Sequence, residues 1–379
     1  MKSVEVRAGQ HRYEALVGSG LLAQIGPLVR RHFSGDRCAV VSDANVAPLL
    51  GAKVCDRLRE AGFRPELITI AAGEGAKSIA QASALCDQLS AAGLDRSSFL
   101  VSLGGGVLGD LTGFVASIYM RGIPYVSVPT TLLAQVDGCI GGKTGVNSSA
   151  GKNLLGSFHH PVLVIADIDT LETLPARIWH EGFAEVIKHG IIRDAGLFSI
   201  VAQACHWQPN DDDPSSPQDE SVRPAGWKLA RPELTLLVEQ SLAIKAAIVA
   251  ADELERNDIR ALLNFGHTIG HAIESAAGYG ELLHGEALSL GMIAAAHVSV
   301  RRAGLSSREL DEISAALQAH HLPTALPPDF LREKIFEALP RDKKFINGRL
   351  RFVVAHAIGH ASITSEVTMG DLEKAVAAL

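Results

Sequence analysis

Ser98-Phe99-Leu100-Val101-Ser102-Leu103-Gly104-Gly105-Gly106-Val107-Leu108-Gly109-Asp110 is the stretch whose reading decides the fold. Its first half is a short apolar run, the length of a buried strand. Its second half matches G-x-G-x-x-G, and the position after a strand and before a helical pattern is the context that gives this motif meaning. Glycines let a backbone approach a pyrophosphate, and a helix N-terminus adds partial positive charge. About 20 residues further on, where a ribose-binding acid would stand, the sequence reads Val126-Ser127-Val128-Pro129. We therefore expect a Rossmann-like α/β dinucleotide-binding domain that departs from the standard double mononucleotide pattern. A glycine-rich tight turn without a ligand is the competing reading.

The segments on either side repeat the strand-then-polar-loop unit. Val4, Val6, Tyr13, Ala15 and Val17 alternate as short strands do, and Leu21 to His32 has helical spacing. Cys38 to Val41 feeds Ser42-Asp43-Ala44-Asn45, and Leu67 to Ile70 feeds Gly73-Glu74-Gly75-Ala76-Lys77-Ser78 before a helix from Ile79 to Ala92. Tyr125 to Pro129 feeds Thr130-Thr131, and Val162 to Ile168 is a last buried strand. Loops at the carboxyl ends of parallel strands are where such sheets bind ligands. Asp137 to Asn147 and Gly151-Lys152-Asn153 combine glycines with Lys143 and Lys152, which suits an anion-binding loop; solvated lysines on a flexible loop fit equally well.

Beyond Pro175 helical periods take over: Ile178 to Ile192, Leu234 to Leu254, Arg260 to Ala276, Glu286 to Ala303 and Ser307 to Leu317. We expect residues 1–172 to form the α/β domain and residues 173–379 an all-α metal- and substrate-binding domain. His206 to Pro232, rich in Asp, Pro and Ser, reads as a solvated loop. Arg349 to Val354 with Ala361 to Thr364 reads as a small hairpin. Arg341-Asp342-Lys343-Lys344 before it reads as a loop and a second anion contact. The helical half carries Gly182-Phe183-Ala184-Glu185-Val186-Ile187-Lys188-His189, Asn264-Phe265-Gly266-His267-Thr268-Ile269-Gly270-His271 and Leu283-His284-Gly285-Glu286. Carboxylate plus two imidazoles is the donor set of a catalytic zinc, which keeps a fourth position open. His267 and His271, four apart, share a helix face, and Lys188 lies one turn from Glu185. Separate helices with buried polar residues are the alternative.

Composition narrows the class. Of 379 residues, 47% are hydrophobic and 5% aromatic, which supports a sizeable core and disfavours an aromatic-rich sandwich. The net charge of −7 gives no general affinity for nucleic acid. The five scattered cysteines form no C-x-x-C pair, and no signal pattern or membrane-length apolar run is read. We expect a cytoplasmic chain with reduced thiols.

Taken in order, Gly104 to Asp110, Pro129-Thr130-Thr131, Gly141-Gly142-Lys143-Thr144, Gly151-Lys152-Asn153, Ala184 to Lys188, Asn264 to His271 and Leu283 to Glu286 resemble the 3-dehydroquinate synthase family of sugar phosphate cyclases, from about Asp43 to Lys344. The resemblance implies an NAD-binding α/β domain, a helical domain with zinc or cobalt on Glu185, His267 and His284, and His271 left as an acid/base group. It implies cofactor contacts at Asp43, Asn45, Gly73, Glu74, Lys77, Gly105, Gly106, Val107, Asp110, Thr130, Thr131, Lys143, Lys152, Thr170 and Thr173. Substrate contacts would come from Arg121, Asp137, Lys143, Asn153, Lys188, Lys245, Arg260, Asn264, His271 and Lys343, and proton or charge chemistry from His271, Glu255, Lys152 and Lys188. Lys152, Lys188 and Arg260 are expected at loop and helix-end positions, serving substrate more than fold.

The implied activity converts 3-deoxy-D-arabino-heptulosonate 7-phosphate to 3-dehydroquinate and phosphate in the shikimate pathway of aromatic amino acid biosynthesis. It proceeds by transient NAD oxidation, phosphate elimination, reduction and intramolecular aldol closure. The implied partner is a sugar acid phosphate, with a homodimer expected and neither nucleic acid nor membrane. Three features depart from the family pattern: one extra residue in Glu253 to Arg260, which shifts Glu255; the length of the His206–Pro232 loop; and Gly138-Cys139. The rival readings are another cyclase, of the 2-deoxy-scyllo-inosose or 2-epi-5-epi-valiolone synthase type, a metal- and NAD-dependent polyol dehydrogenase, and a binding protein without chemistry.

Overall fold

The computed structural model describes residues 1–149, 151–204, 230–278, 280–339, 345–346 and 349–379. Lys343, Lys344 and residues 206–229 of the expected acidic loop lie outside the described residues. Two units are present: Met1–Thr173 with Arg231–Leu254, and Leu174–Ala230 with Glu255–Leu379.

The first unit is built on a seven-stranded sheet. Its strands are β1 (Lys2–Ala8), β2 (His11–Gly18), β3 (Arg37–Asp43), β4 (Arg64–Ile70), β5 (Phe99–Gly104), β6 (Tyr125–Pro129) and, after a β7–β8 hairpin (Lys143–Ser148 and Gly151–Phe158), β9 (Leu163–Asp167). The order is β1-β2-β9-β6-β5-β3-β4, with β1 antiparallel to β2 at one edge and the other pairings parallel. The burial patterns explain the layering. β5, β6 and β9 are buried at every position, as strands covered on both faces must be, whereas β1 alternates. The chain runs from β3 out to β4 and then returns to β5 on the other side of β3. This reversal makes the carboxyl ends of β3 and β5 the topological switch point, where open α/β sheets bind ligands.

Helices α1 (Ile25–Arg30), α2 (Ala52–Glu60), α3 (Ile79–Ala91) and α4 (Gly106–Ile118) connect the strands. The region read as an anion loop is the β7–β8 hairpin. Its strands approach so closely that a Cβ on Gly145 or Gly156 would lie 2.6 Å from Leu155 O or 2.4 Å from Thr144 O.

In the second unit, α5 (Ala176–Arg193) leads into α6 (Ala195–Gln203), capped by Asp194 through Gly196 N at 2.8 Å and Leu197 N at 3.1 Å. The next helix, α7 (Arg231–Ala251), corrects the expected single cut after residue 172, because it belongs to the first unit. Leu234, Leu237, Val238, Leu242 and Val249 give it a buried stripe, and it packs on β1 and β2. By length and hydropathy α7 could cross a membrane, yet half of its apolar window is buried in the fold.

The second unit continues with α8 (His267–Ala277), α9 (His284–Arg302), α10 (Ser307–Ala319), α11 (Glu333–Ala338), the short pair β10 (Phe345–Ile346) and β11 (Arg349–Leu350), the hairpin β12 (Phe352–Ala357) and β13 (His360–Thr364), and α12 (Met369–Ala377). The unit is mainly helical, and its hairpin starts three residues later than expected. The continuous helix expected from Arg260 to Ala276 is broken into a 3-10 turn (Arg260–Asn264) and α8. Gly266, at φ +78°, makes the break, and a Cβ there would sit 2.7 Å from Met292 Cγ. A Cβ on Gly270 would meet Ala287 O at 2.9 Å, so glycines set the tight α8–α9 crossing.

Candidate functional sites in the two units

The switch point of the first unit gathers most of the expected cofactor residues. Asp43 ends β3 and accepts from Asn45 N at 2.9 Å and Val46 N at 3.0 Å. Gly105 caps α4 in an extended conformation without a side-chain cap, which leaves the first N–H groups of the helix to a ligand. A Cβ on Gly106 or Gly109 would meet nothing within 4 Å, so open space lies over this turn. Buried Lys77 donates to Asp110 at 2.5 Å. Glu74 accepts from Asn147 Nδ2 at 2.7 Å, and Asn147 in turn accepts from Asn153 N at 2.9 Å. Asn147, absent from the expected set, therefore ties the Glu74 loop to the hairpin carrying Lys143, Lys152 and Asn153.

Thr130 lies buried at the end of β6, and Thr131 Oγ1 caps the turn after it by accepting from Ala134 N at 3.2 Å. Thr170 donates to Asp167 O at 2.7 Å, and Thr173 donates to Thr170 O at 3.1 Å, so these two hydroxyls are occupied in closing their own turn. On α7, buried Lys245 reaches Asp137 Oδ1 at 2.8 Å and its carbonyl at 2.6 Å. Arg121 is not brought to these residues. It is exposed beyond the far end of α4, about 20 Å along the helix axis from Gly106, on a left-handed backbone at φ +69°.

The second unit assembles the metal donors from three helices. Glu185 Oε1 on α5 lies 3.5 Å from His267 Nε2 on α8 and 3.6 Å from His284 Nε2 on α9. The three donor atoms all lie within 4.8 Å of one another. Lys188, 1% exposed, pairs with the other oxygen of Glu185 one turn along α5. The far nitrogens of the imidazoles have partners of their own: His267 Nδ1 faces Phe265 O at 3.3 Å, and His284 Nδ1 faces Glu274 at 3.8 Å. Such outer partners turn the Nε2 atoms inward. Glu274, seven residues after His267 on the same helix face, was absent from the expected set although its spacing made it findable.

Burial pulls the His284 imidazole down, but the carboxylates of Glu185 and Glu274 outweigh it and raise the group to about 10. A metal entering here displaces a proton. His271 stands beside the trio with its ring edge-on to His267 at 5.2 Å, exposed, and outside the donor set. Arg260 is 2% exposed, with Nε 3.9 Å from Glu255 Oε1. Glu255 itself is exposed at φ +55°, and Asn264 is half-buried at the end of the 3-10 turn. Arg260 opens the 3-10 turn, as a helix-end position, whereas Lys188 lies inside α5, which corrects its expected loop or helix-end setting; both cations are buried within the fold.

The donor set suits a divalent cation of the zinc type: one carboxylate and two imidazoles converge, the carboxylate fully buried, with outer partners in place. The glycine turn suits a dinucleotide pyrophosphate, since added side-chain volume at Gly106 would fill the open space there.

The comparisons agree with this geometry. Residues 67–181 match the family model described as 3-dehydroquinate synthase N-terminal, and residues 182–345 match the model described as 3-dehydroquinate synthase C-terminal. A 3-dehydroquinate synthase from Symbiobacterium thermophilum is 45% identical over 95% of this chain and 96% of its own. The solved 2-epi-5-epi-valiolone synthase of Streptomyces hygroscopicus subsp. jinggangensis 5008, with NAD+ and Zn2+ bound, is 30% identical with TM-score 0.82 over 97% of this chain and 96% of that one. A solved 2-deoxy-scyllo-inosose synthase, complexed with carbaglucose-6-phosphate, NAD+ and Co2+, shares the fold at TM-score 0.83 and 23% identity, covering 99% of each chain. Both family models, and higher identity to a full-length 3-dehydroquinate synthase than to either of these other cyclases, lead to one conclusion: the chain belongs to the 3-dehydroquinate synthase family.

Proposed function

We propose that this chain is a zinc- and NAD-dependent carbon–oxygen lyase that converts 3-deoxy-D-arabino-heptulosonate 7-phosphate into 3-dehydroquinate and phosphate in the shikimate pathway. The observation that carries the reading is the convergence of Glu185, His267 and His284 beside buried Lys188. When bound, zinc or cobalt supplies Lewis acidity to vicinal hydroxyls, and NAD supplies a reversible hydride acceptor.

The chain's own residues do the rest. Gly105, Gly106 and the first N–H groups of α4 receive a pyrophosphate. Lys152, Lys188, Lys245 and Arg260 provide the cations that a carboxylate and a phosphate each require, with Arg able to engage either bidentately. Asp137 fixes the Lys245 ammonium. The exposed His271 imidazole, one turn from His267, is placed to move a proton, and Glu255 is a second acceptor. A polyol dehydrogenase has no use for three buried cations and a fourth on the hairpin. We place the enzyme in the cytoplasm as a homodimer acting on a small-molecule substrate, without nucleic acid or membrane. The free thiols of Cys38, Cys55, Cys86 and Cys139 support a reducing compartment, with Cys38 and Cys139 pushed up to about 12 by burial.

The test is a paired assay of free phosphate and reduced nicotinamide in one cuvette. Phosphate should accumulate over many turnovers on a trace of NAD with no net rise in reduced cofactor. Stoichiometric cofactor reduction without phosphate would overturn the reading in favour of a dehydrogenase.

A further inference from the structure

Three consecutive residues at the N-terminus of α9 meet one face of α5. Arg177, Glu181 and Glu185 are spaced four apart and so lie in a row along α5. Arg177 Nε donates to Glu286 Oε1 at 2.6 Å, its Nη2 donates to Glu286 Oε2 at 2.7 Å, and Nη2 also donates to Glu281 O at 2.9 Å. Glu181 Oε2 accepts from Gly285 N at 3.4 Å, and the backbones are so close that a Cβ on Gly285 would lie 2.2 Å from Glu181 O. Glu185 faces His284. Glu286 also accepts from Leu283 N at 2.8 Å, so the carboxylate gripped by Arg177 is the one that caps α9.

From this three-rung contact we infer that Arg177 and Glu286 are positioning residues for the metal centre, setting the separation of Glu185 and His284 by fixing the start of α9 against α5. The inference rests on the metal reading above. A lone exposed ion pair contributes little, but this one is bidentate, and Glu286 is 15% exposed. It also stands at the helix end whose first residue is a ligand. With Arg177 absent, the Glu181–Gly285 contact is the one rung beside the Glu185–His284 pair that still holds the α9 start, and the His284 ring gains freedom that metal binding must remove. Replacing a group that hydrogen-bonds a metal ligand costs about 10- to 100-fold in affinity, and Arg177 and Glu286 act one contact further out, so the low end of that range is expected.

The experiment measures Co2+ affinity of the full-length protein by competition with a chromophoric chelator, together with the visible Co2+ absorption of the loaded protein. Arg177→Ala should bind Co2+ about tenfold more weakly with an altered spectrum. Arg177→Lys, which keeps one contact, should recover part of the loss, and NAD affinity, read separately, should not move. Gly285→Ala should weaken Co2+ binding by pushing α9 off Glu181. Glu286→Gln keeps the cap and loses the bidentate charge pair, so it reports the same step if Arg177→Ala fails to fold. Wild-type Co2+ affinity and spectrum in both Arg177→Ala and Glu286→Gln, with Glu185→Ala devoid of metal, would overturn the inference and leave the metal site standing. Metal retained by Glu185→Ala would overturn the metal site itself.

Discussion

The glycine turn of the first unit and the donor trio of the second are built in opposite ways. The turn comes from one contiguous stretch, Gly104 to Asp110, and works through backbone N–H groups and missing side chains. The trio draws Glu185, His267 and His284 from three helices spread over a hundred residues, and works through side-chain atoms that only packing brings within 4.8 Å. A backbone site tolerates little added volume, whereas a side-chain site depends on the elements that carry it. Substitutions should therefore fail differently in the two places.

The largest contrast comes from the donors. Glu185→Ala and His284→Ala should each lose nearly all bound metal and activity, beyond the roughly 10- to 100-fold expected for an outer partner. NAD affinity should stay near wild type; metal analysis and a cofactor titration read the two effects separately. Full metal occupancy in His284→Ala would remove that residue from the site.

Next come the cations, each expected to cost about 2–4 kcal/mol, or roughly 30- to 900-fold, in kcat/KM when replaced by alanine. Here the structure sharpens the comparison. Lys152 is half-buried on a hairpin, so Lys152→Ala should melt like wild type. Lys188 and Arg260 are 1% and 2% exposed, so Lys188→Ala and Arg260→Ala should also lower the melting temperature of the metal-free protein. Equal melting for all three would show that burial contributes nothing at these positions.

A smaller effect probes the turn. Gly106→Ala adds a methyl where nothing lies within 4 Å, so stability should hold while NAD affinity falls at least about tenfold. Gly113→Ala puts its methyl 2.5 Å from Thr144 Cγ2 and should do the reverse. Calorimetry for melting and binding on both variants decides the matter, and unaltered NAD affinity in Gly106→Ala would show that no ligand approaches the turn.

The smallest effect is acid sensitivity confined to the second unit. Burial holds His320 down at about 4, its Nε2–H donates to Val201 O at 2.9 Å, and its ring stacks on Phe183 at 4.0 Å near His180 and His321. The imidazole is neutral when folded and charges on unfolding. Its contribution is therefore complete above the ordinary value of 6.5 and disappears as pH falls toward 4. Denaturation midpoints of metal-free protein should drop over that window, and His320→Phe should flatten the drop. An unchanged slope in the variant would assign the acid loss to other groups.

Local patterns were legible without coordinates. Strand β5, the glycine turn, the strands ending at Asp43 and Pro129, and the helices around Glu185 and His284 all announce themselves through periods of two or 3.6 and through glycine placement. The hairpin at Lys143 to Phe158 looks like a loop in sequence because its glycine-rich strands lack alternating apolar residues; a partner strand, not propensity, holds it extended. α12, capped by Thr368 accepting from Asp371 N at 3.3 Å, is too short for its period to stand out in the sequence.

What the sequence determined by itself is therefore the inventory: an α/β half with a glycine-rich turn between a strand and a helix, a helical half with a carboxylate and three candidate imidazoles, and the order of both. Tertiary structure alone decided which unit owns α7, where Gly266 breaks a helical pattern, how closely the Nε2 atoms of His267 and His284 approach Glu185, and that Arg177 grips the helix carrying His284. Periodicity is written over a few residues and survives in one dimension. A separation of 3.5 Å between groups 82 residues apart is set by how glycine-lined helices pack, and no local pattern encodes it.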